Sequence, residues 1–232
     1  MRHTIIGLAL ILAVGGSRPV GAGQISGKIR ILKPLSKESV TFSPYQSRGA
    51  FVTVQGSKEG EKEELSRLVV YLEGEGLPPG TPVKAQISQE KRQFAPEIVA
   101  VTVGSTVAFP NEDPILHNVF SLSKIKQFDL GYYPVGRSRS VTFEKPGIVE
   151  VYCHLHRDMS AAVVVTPSAC YTQPDKEGRF SLSDVPGGSY RVVVYHKSAG
   201  FFRRPIEVPA EGQVEILMEV PVPDSKTGGK SQ

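Results

Sequence analysis

The sequence predicts an all-β protein built from two small β-sandwiches, and three observations carry that expectation. Short runs of alternating or β-branched residues recur along the chain. Gly 23 and Pro 18 are both above average usage, and with Ser and Asp they punctuate nearly every gap between those runs. The one helix-like stretch, KEGEKEELS from Lys58 to Ser66, is highly charged and interrupted by Gly60, so a solvated loop or a single turn is expected there.

Taken in order, the chain opens on an address. Met1-Arg2-His3 is a short basic start, Ile5 to Val14 is an apolar run, and Gly15 to Gly23 is small and turn-rich. Val20-Gly21-Ala22 places small residues where a signal peptidase inspects them, so residues 1–22 are expected to be a signal peptide cleaved after Ala22. The run is too short to cross a hydrocarbon core of about 30 Å as a helix. An uncleaved N-terminal anchor is the alternative. No other segment approaches about 18 consecutive apolar residues, so no membrane span is expected after signal removal. The expected location in a Gram-negative host is the periplasm.

Strands are expected at Ile25–Leu32, Leu68–Leu72, Val83–Ile87, Ile98–Val103, Thr106–Phe109, Val141–Phe143, Ile148–Tyr152 and Ala161–Thr166. Four more follow at Arg179–Leu182, Tyr190–Tyr195, Ile206–Val208 and Val214–Val220. Tyr45–Arg48 and Ala50–Val54 add a candidate hairpin in a stretch longer than an ordinary loop. The expected division is an N-terminal β segment over 23–85, a middle domain over 86–166, a second sandwich over 167–221 and a disordered tail over 222–232.

Charge says little about partners. Lys+Arg 27 against Asp+Glu 23 gives +4, the charges are scattered, and losing Arg2 and Arg18 with the leader leaves +2. Nucleic-acid binding, which needs a clustered basic face, is not expected. Lys124, Lys126, Arg137 and Arg139 read as a solvated face. Two cysteines exclude a disulfide-dense scaffold and a four-thiolate zinc site.

The chemistry lies between strands. His117 is followed 36 residues later by Cys153-x-x-His156-x-x-Met159. A copper electron-transfer site needs one thiolate and two imidazoles near one plane with a long, weak thioether, which these four residues supply. Soft sulfur suits Cu(I), and imidazole suits both oxidation states. Successive side chains of an extended segment alternate, so His154 is expected to point away from Cys153. Other readings stand beside this one. Cys153 and Cys170 can form the single disulfide of an exported chain, which would leave a metal-free binding module. Met159 can be plain core, and zinc also takes Cys and His, though it gains nothing from a thioether. The same donors also suit a copper carrier or storage protein. An oxidase or reductase needs further ligands, and only His3, His154 and His196 are left over, so an enzyme is not expected.

At these residues the chain resembles the cupredoxins, the plastocyanin- and amicyanin-like blue copper proteins. Cys153-x-x-His156-x-x-Met159 matches the short ligand loop of amicyanin. The runs FPNEDPILHNVFS and FDLGYYPVGRSRSVTFEKPGIVEVYCHLHRDMSAAVVV resemble a plastocyanin-like subgroup often labelled methylamine utilisation proteins. The resemblance implies a Greek-key β-sandwich with one copper ion at one end, held by His117, Cys153, His156 and Met159. It implies that Asn118 ties the two ligand loops together by a side-chain hydrogen bond. It also implies single-electron exchange with a protein partner such as a c-type cytochrome or a dehydrogenase, past an apolar rim of Pro114, Ile115, Tyr132 and Leu155.

A second resemblance lies in the tail. Asp175 to Leu182 (DKEGRFSL) and Val185 to Val194 (VPGGSYRVVV) resemble the carboxypeptidase regulatory-like domain, a small transthyretin-like sandwich. Its first strands would be Ile25–Ile29 and Leu68–Gly74. Two arrangements follow: the copper domain inserted between about Gly74 and about Tyr171, or two domains in series. Pairing of Ile25–Leu32 with strands from 179–220 distinguishes them.

Overall fold

The computed structural model describes residues 22–32 and 58–221. Residues 1–21 of the leader, the candidate hairpin at 45–54 and the tail at 222–232 lie outside the described residues. The elements in chain order are β1 (Gly23–Ile31), α1 (Lys58–Ser66), β2 (Leu68–Glu73), β3 (Lys84–Gln86), β4 (Ser88–Glu90) and β5 (Gln93–Ala95). Then come β6 (Ile98–Thr102), β7 (Ser105–Pro110), β8 (His117–Ser121), β9 (Phe128–Tyr133), β10 (Ser138–Phe143) and β11 (Gly147–Tyr152). The chain closes with β12 (Ser160–Thr166), β13 (Tyr171–Thr172), β14 (Arg179–Val185), β15 (Gly188–His196), β16 (Gly200–Val208) and β17 (Gln213–Val220).

Most of these strands form two sandwiches, and β4 and β5 pair as a separate hairpin. In one, a three-stranded sheet ordered β14-β1-β17 faces a four-stranded sheet ordered β13-β2-β15-β16. Its core includes Ile25, Ile29, Val70, Leu72, Val192 and Met218. In the other, sheets ordered β10-β7-β3 and β6-β12-β11-β8-β9 enclose Ile87, Phe109, Val119, Phe143, Val151 and Val163. β1 runs antiparallel to β14 and parallel to β17, while β2 runs antiparallel to β15. Strands before residue 74 and strands after residue 170 therefore share one sandwich, and β3 to β12 lie between them in the chain. Lys84 and Ala85 pair with Thr106 and Val107, so the middle sandwich begins ahead of the expected boundary at residue 86.

Two glycines make the first sandwich possible. Gly27 lies under the Phe180 ring, where a Cβ would come 2.6 Å from that ring and from the Ile216 carbonyl. Gly178 sits at φ +78 in the turn after Asp175, hard against the Ile29 carbonyl. Asp175 Oδ1 accepts the N–H groups of Glu177 and Arg179 at 2.9 and 2.8 Å, an Asx turn that delivers the chain into β14.

Lys58–Ser66 is a helix rather than the expected loop or single turn. Its outer residues Glu61, Lys62 and Glu63 are solvated, as the charge run requires. Leu65 is buried in the first core, which stabilises the helix by about 1.5–3 kcal/mol. Glu64 turns inward to His196, with its Oε2 2.7 Å from Nε2. His196 Nδ1 accepts the N–H groups of Ser198 and Ala199 at 3.2 and 3.1 Å, so the neutral ring carries its proton on Nε2, facing Glu64.

Burial, reinforced by the Arg67 charge, holds His196 below its ordinary value of 6.5 against the pull of Glu64. The unfolded chain therefore binds a proton below about pH 6.5 that the native state refuses. Stability is expected to fall as pH drops through that window, by at most ~1.4 kcal/mol per pH unit from this group. Urea midpoints measured at pH 7.5 and pH 5.5 check this, and His196→Gln is expected to flatten the difference.

Candidate metal centre

The loop from β7 to β8 is folded by Asn111. Its Oδ1 accepts the Asp113 N–H at 3.0 Å, and its Nδ2 donates to the Ile115 and Tyr133 carbonyls at 2.8 and 3.0 Å. This bend returns Asp113 to His117, with Oδ2 2.7 Å from Nε2. The same carboxylate accepts the N–H groups of Lys91 and Arg92 at 2.6 and 2.8 Å. Those two residues form the tip of the β4–β5 hairpin at φ 51 and 57, a tight turn that asparagine and glycine more often occupy. Burial alone would push the Asp113 carboxyl up, but the Arg92 N–H, the His117 ring and the Lys91 N–H hold it below its ordinary value. With Nε2 directed at a carboxylate, the His117 Nδ1 lone pair is left to face inward.

The second loop joins β11 to β12. Tyr152 pairs with Ser160, which closes the segment from Cys153 to Met159, and Tyr152 also pairs with Phe120 of β8. That pairing sets Cys153 beside His117. Cys153 Sγ is 3.9 Å from His117 Nδ1 and 3.8 Å from His156 Nδ1, and the two nitrogens are 3.1 Å apart. The point equidistant from these three atoms is about 2.1 Å from each, the length of a metal bond to imidazole or thiolate. Among the described residues these three form the metal-capable cluster of His, Cys and acidic groups.

His117 and Cys153 are buried and His156 is half-buried. Its partial burial, then the proximity of His117 and Arg92, keep His156 below its ordinary value, so its ring is neutral and its lone pair available. Met159 is buried in the same core as Cys153, and its N–H donates to the His156 carbonyl at 3.1 Å.

His154 stands outside this cluster. Its ring stacks on Phe120 at 3.7 Å, and Nε2 lies 3.7 Å from Asp129 Oδ2. Asn118 accepts the His154 N–H at 3.4 Å through Oδ1 and donates to Asp129 Oδ1 at 2.6 Å. It thus joins β8 to the ligand loop and to β9. Pro114, Ile115, Tyr132 and Leu155 are exposed, as is Leu116. Cys153 and Cys170 are both free and lie in different cores, so the disulfide alternative does not describe this structure. Asp113 was not singled out from the sequence; an acid four residues before a histidine, in a turn opened by Asn111, was the available signal.

Residues 81–166 match the family model for copper binding proteins of the plastocyanin/azurin family. No curated protein matches the chain. Among solved structures, a novel purple cupredoxin from Nitrosopumilus maritimus is 26% identical over 35% of this chain and 99% of its own, with a TM-score of 0.33. A copper-containing nitrite reductase from Thermus scotoductus SA-01 is 25% identical over 37% of this chain and 22% of its own, with a TM-score of 0.34. A methionine-to-glutamine variant of amicyanin with Cu(I) is 22% identical over 36% of this chain and 82% of its own, with a TM-score of 0.34. Residues 81–166 are thus similar to the copper binding proteins of the plastocyanin/azurin family, and within them His117, Cys153 and His156, with Met159 buried beside them, form the candidate copper site.

Proposed function

We propose that this protein is an exported, mononuclear blue copper protein that carries single electrons between periplasmic redox partners, and that it is not itself an enzyme. The observation that carries the reading is the triangle of Cys153 Sγ, His117 Nδ1 and His156 Nδ1, whose sides suit one ion at its centre. Copper, when bound, supplies a one-electron couple. The chain's own residues supply the rest. Cys153 gives the thiolate, His117 and His156 the imidazoles, and Met159 the weak axial thioether. Asp113 fixes the His117 ring, and the Tyr152–Ser160 pair with the Met159 N–H to His156 carbonyl bond holds the second loop. A donor set so restrained changes little when charge changes, which suits electron transfer.

Burial of His117, Cys153 and Met159 excludes water and substrate, which favours a carrier over a catalyst. His156, the half-buried ligand, is the electron's entry and exit. The exposed Ile115, Tyr132 and Leu155 suit brief docking of a partner such as a c-type cytochrome or a dehydrogenase. Export rests on the leader. Among the described residues no helix is long and apolar enough to cross a membrane. The second sandwich we read as a carboxypeptidase regulatory-like module, on the turn-strand pattern of residues 175–194.

Visible and paramagnetic-resonance spectra of the copper-loaded protein test the function. An intense thiolate-to-Cu(II) band with a reversible one-electron wave is expected; a colourless Cu(II) complex overturns the blue site. Copper surrendered rapidly to a chelator, without a reversible wave, would mark a carrier or storage protein instead. Met159→Leu is expected to keep copper and raise the reduction potential, because losing an axial donor disfavours Cu(II). Voltammetry of the variant reads that shift, and loss of all copper would show that Met159 is not axial.

A further inference from the structure

The outer face of β12 is where the two sandwiches meet. Ala161, Val163 and Val165 point into the copper-domain core, and Ala162 and Val164 point the other way, into a cluster with Val69, Ile98 and Tyr195. A lone sandwich would place polar side chains on that second face; this strand is apolar on both. Its first residue, Ser160, follows Met159 directly. At that point the apolar contact gives way to a polar clamp. Lys197, just beyond β15 in the second sandwich, donates from Nζ to the Ser160 carbonyl at 2.7 Å and to Glu97 Oε2 at 2.6 Å. Arg67, between α1 and β2, donates to Glu97 Oε1 at 3.1 Å, and the Lys197 N–H donates to the Arg67 carbonyl at 3.1 Å. The Glu97 carbonyl accepts the Ala162 N–H at 2.9 Å. Lys197 is mostly buried, with 14% of its side chain exposed, so this is a built contact and not a passing surface ion pair.

We propose that Lys197 is a positioning residue for the Met159 end of the ligand loop, so that the second sandwich sets the properties of a metal centre to which it contributes no ligand. The proposal rests on the copper reading above. Lys197 acts in two ways. It anchors the carbonyl that follows Met159, which restricts the backbone at the end of the ligand loop. Its charge, with Glu97 opposite, also sets the local potential: a nearby cation favours the reduced centre and a nearby anion the oxidised one.

The test uses the full-length protein. In the copper-loaded form, Lys197→Met is expected to lower the midpoint potential and Glu97→Gln to raise it, with Lys197→Arg recovering most of the wild-type value. In the metal-free form, Lys197→Met is expected to speed amide exchange at Met159 to Ala161 several-fold, a readout that needs no copper. General loosening of the fold would not move the two potentials in opposite directions. Should Lys197→Met fail to fold, Glu97→Gln decides the matter from the other partner. Wild-type potentials and exchange in both variants, or shifts of the same sign, overturn the proposal while the wild-type band still stands. Absence of that band in the wild type removes the copper reading itself.

Discussion

Cys153→Ser is expected to abolish the visible absorption of the copper-loaded protein, while Cys170→Ser leaves it intact. The two thiols differ in surroundings, not in exposure. Cys153 Sγ lies 3.9 and 3.8 Å from two imidazole nitrogens whose lone pairs converge on the same point. A serine oxygen there is a poor soft ligand and has no low-energy electron to transfer to Cu(II), so the band should vanish and not merely shift. Cys170 lies in the core of the other sandwich, beside Val70 and Leu72. Burial pushes its thiol up, which keeps it protonated and inert at neutral pH. Serine at that position buries a hydroxyl among apolar groups and is expected to cost about 1–3 kcal/mol of stability, read as a lower urea midpoint, without touching the colour. Loss of colour in both variants, or a Cys153–Cys170 bridge found by mass mapping of the exported protein, would dismantle this account.

The candidate ligands His117, Cys153, His156 and Met159 could be named from the sequence because each residue type carries its own chemistry and the loop spacing is local. Asp113 was not, because its role needs two distant events: the Asn111 turn that bends its loop back, and the Lys91–Arg92 hairpin tip that offers two N–H groups. Sheet partners were legible as an alternative, since β1 alternates properly but nothing local says which strands it joins. Several elements escaped local reading in whole or in part, and three of them show separate reasons. In α1, the dense charge and Gly60 argued against a stable helix, and the burial of Leu65 and the inward turn of Glu64 decided for one. β9 carries Asp129 and Gly131, both poor strand formers, yet Asp129 accepts from Asn118 and from the Gly131 N–H and so ties the strand to β8. β16, expected only from Ile206, runs back through Pro205, which demotes a strand unless it lies at an edge, and the order β13-β2-β15-β16 puts it there. In each case a contact made far along the chain overrode a correct local argument.

Ile29→Ala is expected to cost about 2–5 kcal/mol of stability, one of the largest single-residue effects in the molecule, although Ile29 lies near the start of the described chain. The reason is topological. β1 is the middle strand of its sheet, with its ladder to β17 running from Gln24↔Gln213 to Ile31↔Val220 and its ladder to β14 reaching Lys28↔Arg179. Ile25 and Ile29 project from it into the core that Met218 and Val192 share. Truncation at Ile29 therefore opens a cavity among strands that lie on the far side of the copper domain in sequence. Lys28→Ala, on the same strand but exposed, is expected to change stability by less than about 0.5 kcal/mol. Denaturant unfolding followed by far-ultraviolet circular dichroism measures the loss, and the visible band, read in parallel, reports the copper sandwich. The expected signature is an early transition in circular dichroism for Ile29→Ala, with the colour retained until higher denaturant. Deletion of residues 22–32 should remove that transition altogether, because β14 and β17 would lose the strand that lies between them. Normal stability after either change would mean that β1 does not join β14 to β17, and that the strands flanking the copper domain in the chain do not close into a single sandwich around its two connections.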